Sequence, residues 1–103
     1  MNVKNIRDLI LEADPNAKHY VSAEDGSNFT RWMEYERTGL MADDLRGNGW
    51  KFQIDRFTKT EYDPVAEEIE RVLTECEGIT FTYMVEYDQS SGYIRHIFDC
   101  EGA

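Results

Sequence analysis

The two histidines and the two cysteines are the side chains best suited to metal binding or nucleophilic catalysis. His96 and Cys100 lie on one face of a predicted strand, four residues apart. An extended chain separates such positions by about 13 Å, which is too far for a shared metal ion or for a nucleophile and its base. We therefore expect His96 to have a structural role. Cys76 and Cys100 lack a CxxC spacing, which predicts two reduced, largely buried thiols, with a disulfide between them as the alternative.

Carboxylates are abundant, with 21 acidic against 11 basic residues and a formal net charge of -10. At this density, neighbouring pairs such as Asp43 and Asp44 are typical of solvated charge and do not indicate a tuned acid–base pair. The sequence contains no GxGxxG, Walker-type GxxxxGK, HExxH or GxSxG motif. It therefore predicts no catalytic residue, no cofactor and no metal, and we expect no enzymatic activity.

The negative charge also bears on partners. It repels a phosphate backbone, which predicts no specific nucleic-acid binding. An acidic surface can have one of three roles: it keeps the protein soluble, it binds a basic protein partner, or it lines a passage through which DNA moves without binding. No segment approaches the ~20 apolar residues of a membrane span, and the N-terminal sequence lacks the pattern of a signal peptide. We expect an intracellular protein with no membrane contact.

The chain is organised around residues 50–78, an alternating segment followed by an amphipathic one. Trp50, Phe52 and Ile54 project from one face of a predicted strand. Asp63 is a natural N-cap, and Gly78 can adopt the left-handed conformation that ends a helix. The helix between them has an apolar stripe with helical spacing. Its members are Val65, Ile69, Val72, Leu73 and Cys76.

Periodicity places the other elements. A first amphipathic helix begins near Asn2 and ends at Asp14, before Pro15. The polar composition of residues 16–28 predicts a loop, with one short strand around Tyr20 as the alternative. Alternating segments predict strands at residues 29–38, 79–87 and 93–100, the last two joined by a turn at residues 88–92.

These elements predict a single α+β domain over residues 1–103. It has a mainly antiparallel four-stranded sheet, made of two hairpins, with two helices packed on one face and the order α-β-β-α-β-β. The other face stays open, and we expect it to be a contact surface that includes Trp32, Met84, Tyr93 and Ile97.

Residues 39–49 form an unusually long connection between two predicted neighbouring strands. Such a loop is either a mobile hairpin tip or an arm that orders against a partner. Together with the open sheet face, it supplies the candidate interface with neighbouring subunits or partners. The candidate residues are Leu40, Met41, Asp43, Asp44, Leu45, Arg46, Trp32, Met84 and Tyr93.

Two segments resemble the tail-completion proteins of tailed bacteriophages and prophages, the group that includes tail terminators and tail-to-head joining proteins. The first is WKFQIDRFTKTEYDPVAEEIERVL, residues 50–73, and the second is YDQSSGYIRHIFDCEG, residues 87–102. Those proteins share a strand of the form V-Q-I-D-x-W/F, then an amphipathic helix, and near the C-terminus a hairpin with a D-x-x-T/S-G turn that is followed by a Phe in the last strand. The matching residues are Phe52, Gln53, Ile54, Asp55 and Phe57, then Asp88, Ser91, Gly92 and Phe98.

The resemblance implies a non-enzymatic virion protein made in the host cytoplasm and located at the head-proximal end of the tail. Such proteins assemble as a homo-oligomeric ring, commonly a hexamer, on the tail tube protein, and they form the interface to the head-completion or connector protein. Two alternatives stay open. One is a small acidic binding module, of the inhibitor or DNA-mimic type, acting on a basic protein. The other is a small enzyme with converging carboxylates.

Overall fold

Both helices begin at the capping residues that the sequence predicts. In α1 (Val3–Ala13), the Asn2 side chain accepts a hydrogen bond from the Asn5 amide, and the Asn5 side chain accepts one from the Asn2 amide. In α2 (Pro64–Glu75), the Asp63 carboxylate accepts from the Ala66 amide at 3.2 Å. Gly78 has a φ of +84°, the left-handed conformation expected after the helix.

The structure is a computed structural model that describes residues 1–39 and 49–102. Five strands form one sheet in the order β1-β2-β3-β5-β4. Their bounds are β1 (Lys18–His19), β2 (Phe29–Thr38), β3 (Gly49–Thr58), β4 (Ile79–Tyr87) and β5 (Ile94–Gly102). The pairs β2–β3, β3–β5 and β4–β5 are antiparallel, so the predicted pairing of the last two strands is confirmed.

The prediction of a four-stranded antiparallel sheet is wrong, because β1 adds a fifth strand parallel to β2 and makes the sheet mixed. Lys18 pairs with Arg31 and His19 with Trp32, and the Tyr20 amide donates to the Trp32 carbonyl at 2.9 Å. The element order is therefore α-β-β-β-α-β-β. A two-residue strand is too short to produce an alternating pattern, so periodicity could not identify it.

The core lies between the sheet and the two helices, both of which pack on the same face. Ile6 and Ile10 of α1 and Ile69 and Leu73 of α2 form the helical side of the core. The strands supply the other side through alternate residues of β2, β3 and β5. These are Trp32, Phe52, Ile54, Phe98 and Cys100.

Trp32 does not lie on the open face, and its assignment to the contact surface is wrong. Its side chain is only 2 % exposed and belongs to the core. Trp32 pairs with Ile54 across β2 and β3, and directly opposed residues project to the same side of a sheet. Neither side of residues 29–38 is cleanly apolar, so the sequence of this strand alone did not fix its orientation.

A buried ionic cluster lies on the helical side of the sheet, at the start of α2. The Arg56 Nε lies 2.8 Å from Asp63 Oδ2, and its guanidinium lies 3.8 Å from Asp14 Oδ2 and 3.4 Å from Thr30 Oγ1. All four side chains are buried. Arg56 thus joins the end of α1, the N-cap of α2 and the start of β2.

Candidate interaction surface

A buried carboxylate organises the open face of the sheet. Asp55 of β3 is 1 % exposed although no described helix covers this face. Its Oδ2 lies 3.3 Å from Arg31 Nε and 3.2 Å from an Arg95 terminal nitrogen, and its Oδ1 accepts from Gln53 Nε2 at 2.9 Å. Burial of a charge is costly unless it is paired and hydrogen-bonded, and here three strands supply the partners.

Three aromatic rings surround this ionic group. Phe29 and Phe57 stack with centroids 4.6 Å apart, and Tyr93 meets Phe57 edge-on at 5.8 Å. The guanidinium groups of Arg31 and Arg95 lie 4.9 and 5.4 Å from the centre of the Phe57 ring. Such contacts keep the cations in place over the ring. Tyr93 is thus on the open face, as predicted, but half-buried, and its hydroxyl donates to the Ser27 carbonyl at 2.8 Å.

A cavity of about 560 Å³ opens beside the aromatic rings, with Arg31 and Arg95 in its wall. Glu86 and Asp88 also line it, and a Glu86 carboxylate oxygen lies 4.0 Å from Arg95. Together with Asp55, these acids balance the two arginines. The cavity therefore has no excess positive charge with which to select an anion.

The other end of the open face is held by a hydrogen bond that spans three strands. The Tyr35 hydroxyl donates to Asp99 Oδ1 at 2.7 Å, from β2 across β3 to β5. This bond raises the pKa of Tyr35 to about 12, because ionisation would place a phenolate beside a carboxylate. Next to it, Lys51 pairs with Glu36 at 3.1 Å, which raises the pKa of Lys51.

Met84 is the most exposed of the predicted open-face residues. It is 54 % exposed, whereas Ile97, its partner across β4 and β5, is buried. Of the nine predicted interface residues, the structure therefore places Met84 and Tyr93 on the open face and Trp32 in the core. The remaining six, Leu40, Met41, Asp43, Asp44, Leu45 and Arg46, lie outside the described residues.

His96 has a hydrogen-bonding partner within the fold. Its Nδ1 lies 2.6 Å from the Tyr83 hydroxyl, on the helical side of the sheet. Cys100 is buried on the same side, and burial raises the pKa of its thiol, so the thiolate is disfavoured.

Within the described residues, no group of three or more His, Cys, Asp or Glu side chains could hold one metal ion. Neither described helix is long and apolar enough to cross a membrane.

The environment of His96 makes stability depend on pH. Burial lowers the pKa of His96 from its ordinary value of 6.5. The unfolded chain therefore binds this proton more readily than the folded protein. Neutral His96 leaves the free energy of unfolding intact above pH 6.5, and protonation of the unfolded chain lowers that free energy as the pH falls below 6.5. We expect His96→Gln to reduce the decline in the free energy of unfolding between about pH 6.5 and pH 5. Urea titrations at several pH values measure this decline, and an unchanged decline in His96→Gln would contradict the contribution assigned to His96.

A second histidine cluster was not predicted. His19 stacks between Tyr20 and Trp32, with centroids 3.8 and 3.9 Å away. Its Nε2 lies 2.6 Å from Glu34, which also accepts a hydrogen bond from the Tyr20 hydroxyl. Burial opposes ionisation of Glu34, but the bonds from Tyr20 and His19 prevail and lower its pKa. Tyr20 has a φ of +69°, a conformation that non-glycine residues rarely adopt, and no sequence pattern signals it.

Comparison with protein-family models and with curated proteins identified no relative of this chain. No protein-family model matches the sequence, and no curated protein matches it at a significant level. The open face, the edge of β4, which no described strand covers, and the sequence resemblance are therefore the observations from which a function can be inferred.

Proposed function

We propose that this chain is a non-enzymatic assembly protein of a phage or prophage virion, of the tail-terminator or tail-completion type. In this role it caps the tail tube as a homo-oligomeric ring and presents the surface to which the head connector binds. Its location is the head-proximal end of the tail. The proposal rests on the resemblance and on the open face of the sheet.

The open face is the observation that carries the proposal. Its exposed or half-buried side chains come from four strands and combine aromatic, apolar and paired charged groups, which is the composition of a protein contact surface. Gln53, Asp55 and Phe57, three residues of the tail-completion motif, all lie in the cluster around the buried carboxylate. This supports a shared structural reason for that motif, namely that it builds a rigid contact surface.

The charge of the helical layer is consistent with a ring around DNA. On α1 the exposed acids are balanced by Lys4 and Arg7, which pairs with Asp8, so the unbalanced acids are on α2, where Glu67 and Glu70 are exposed. Arg71 lies among them, but it is paired with two carboxylates of its own helix. An acidic surface near passing DNA would repel the phosphates and prevent sticking.

A single substitution on the open face tests this function without touching the core. Met33 lies on β2 opposite Gln53, on the open face and away from β4. We expect Met33→Glu to fold normally but to fail to limit the length of tail tubes, because a buried unpaired charge at a contact costs several-fold or more in affinity. Tube length by negative-stain electron microscopy is the measurement.

The matched control is Tyr62→Glu, which adds the same charge at an 84 % exposed position in the β3–α2 connection. It should limit tube length as the unchanged protein does. Equal activity of both variants would remove the open face from the assembly contact.

The excess of exposed acids on α2 favours one second candidate, an acidic module that binds a basic protein. That function predicts salt-sensitive binding through the helical layer and no ring. Light scattering after size-exclusion chromatography separates the two, because only the assembly function predicts a ring in the presence of tubes.

A further inference from the structure

Strand β4 ends the sheet and leaves a long free edge. No strand among residues 1–39 and 49–102 pairs with its outer side. Over nine residues it contains no proline and no lysine, Glu86 is its one charged residue, and its pairing with β5 is free of bulges. Proteins usually protect an edge by such devices, and an unprotected edge is a template for another strand.

We propose that β4 pairs with β4 of a second copy of this chain, antiparallel, around a two-fold axis at Tyr83. The inference does not rest on the proposed function, because it concerns the edge of the sheet and leaves the open face uncovered. It would join two five-stranded sheets into one continuous sheet with all four helices on the same side.

The sequence of β4 fits this register. An axis at Tyr83 places Ile79 opposite Tyr87 of the second copy, so all nine residues find a partner. Glu86 then faces Thr80 of the second copy, and like charges do not meet. Moving the axis by one residue in either direction leaves residues unpaired at the ends of the strand.

The exposure of β4 is complementary about the same axis. On the helical side of the sheet, Ile79 and Phe81 are half-buried against the core, whereas Val85 and Tyr87 are 56 % and 63 % exposed. The two-fold axis places Phe81 opposite Val85 and Ile79 opposite Tyr87 of the second copy. The exposed residues of each strand would therefore pack beside the half-buried residues of the other strand. Both pairs combine an aromatic with a β-branched side chain, which is among the favourable cross-strand combinations.

Disulfide trapping tests the register. Thr82 and Met84 are exposed and should face each other across the axis. In a Cys76→Ser background, T82C/M84C should form a disulfide-linked dimer, because opposed residues have Cβ atoms about 5 Å apart, close to disulfide geometry. T80C/T82C is the matched control and should form at least several-fold less dimer. Equal or greater trapping in T80C/T82C would overturn the register.

Charge substitution tests the contact itself. T82K/M84K places four lysines around the axis and should weaken dimerisation about tenfold or more, as measured by analytical ultracentrifugation. Mixing it with T82E/M84E should restore a heterodimer, which shows that both variants fold. N16K/T74K adds the same charge at exposed positions elsewhere and should dimerise normally.

Two results would overturn the proposal. One is an unchanged protein that stays monomeric at its highest soluble concentration. The other is a dimer that T82K/M84K leaves intact. In either case tube capping could still occur, so failure of β4 pairing is distinguishable from failure of the proposed function.

Discussion

Replacing Phe98 with alanine is expected to lower the free energy of unfolding by about 3–5 kcal/mol. Phe98 is fully buried, lies opposite Ile54 in the sheet and stacks on Tyr83 with centroids 4.3 Å apart. Its removal takes away contacts with both neighbouring strands and leaves a cavity that the close-packed core can only partly fill. Denaturant unfolding followed by circular dichroism measures the loss.

The control for this variant is Tyr87→Ala, which removes an aromatic ring at a largely exposed position of the adjacent strand. Its effect on the free energy of unfolding of the monomer should stay within about 0.5 kcal/mol. A similarly small effect of Phe98→Ala would mean that Phe98 does not pack in the core as the structure places it.

Replacing Arg56 with methionine is expected to cost a similar amount, about 3–5 kcal/mol, through loss of charge pairing. The substitution keeps an unbranched side chain but leaves the buried carboxylates of Asp63 and Asp14 without their cation. Desolvated charges without a partner are strongly unfavourable, so breaking the cluster costs more than its formation contributes.

Two further variants separate charge from packing. Adding Asp63→Asn to Arg56→Met should recover part of the loss, because asparagine can still cap α2 but carries no charge. Arg71→Met removes an exposed arginine that is paired with Glu68 and Glu75, and it should cost less than about 1 kcal/mol. Equal costs for Arg56→Met and Arg71→Met, or no recovery with Asp63→Asn, would contradict the role of the buried cluster.

Local signals predicted most elements of this fold. Asn2 and Asp63 mark helix starts because short polar side chains satisfy the free amides of a first turn, and the structure has both caps. The strand bounds predicted at residues 29–38 and 79–87 are those of β2 and β4, but a register shift between Glu34 and Glu36 interrupts the predicted alternation of β2. Helix caps and strand alternation depend on residues that are close together in the chain, so a single sequence is enough to predict them.

The missed features depend on distant residues. The parallel pairing of β1 depends on β2, because the Tyr20 amide donates to the Trp32 carbonyl, twelve positions away. The side to which Trp32 points is set by Ile54, which lies opposite it on β3. The burial of Asp55 and Arg56 could not be predicted either. A charged residue in a strand is expected to be exposed unless its partners on other elements are known.

The candidate surface was predicted in part for the same reason. Alternation within one strand identified Met84 and Tyr93, but the Asp55 cluster needs Arg31 from β2 and Arg95 from β5. Its one signal in the sequence is that Gln53, Asp55 and Phe57 lie in the segment that resembles tail-completion proteins.

Electron microscopy of tail tubes mixed with this protein tests the proposed function most directly. Because the proposal assigns this chain to a phage or prophage, the tubes should be made from the tail tube protein encoded beside it. The proposal predicts a ring of this protein at one end of each tube and tubes of uniform length. Tubes that grow without limit, with the protein remaining free in solution, would contradict it.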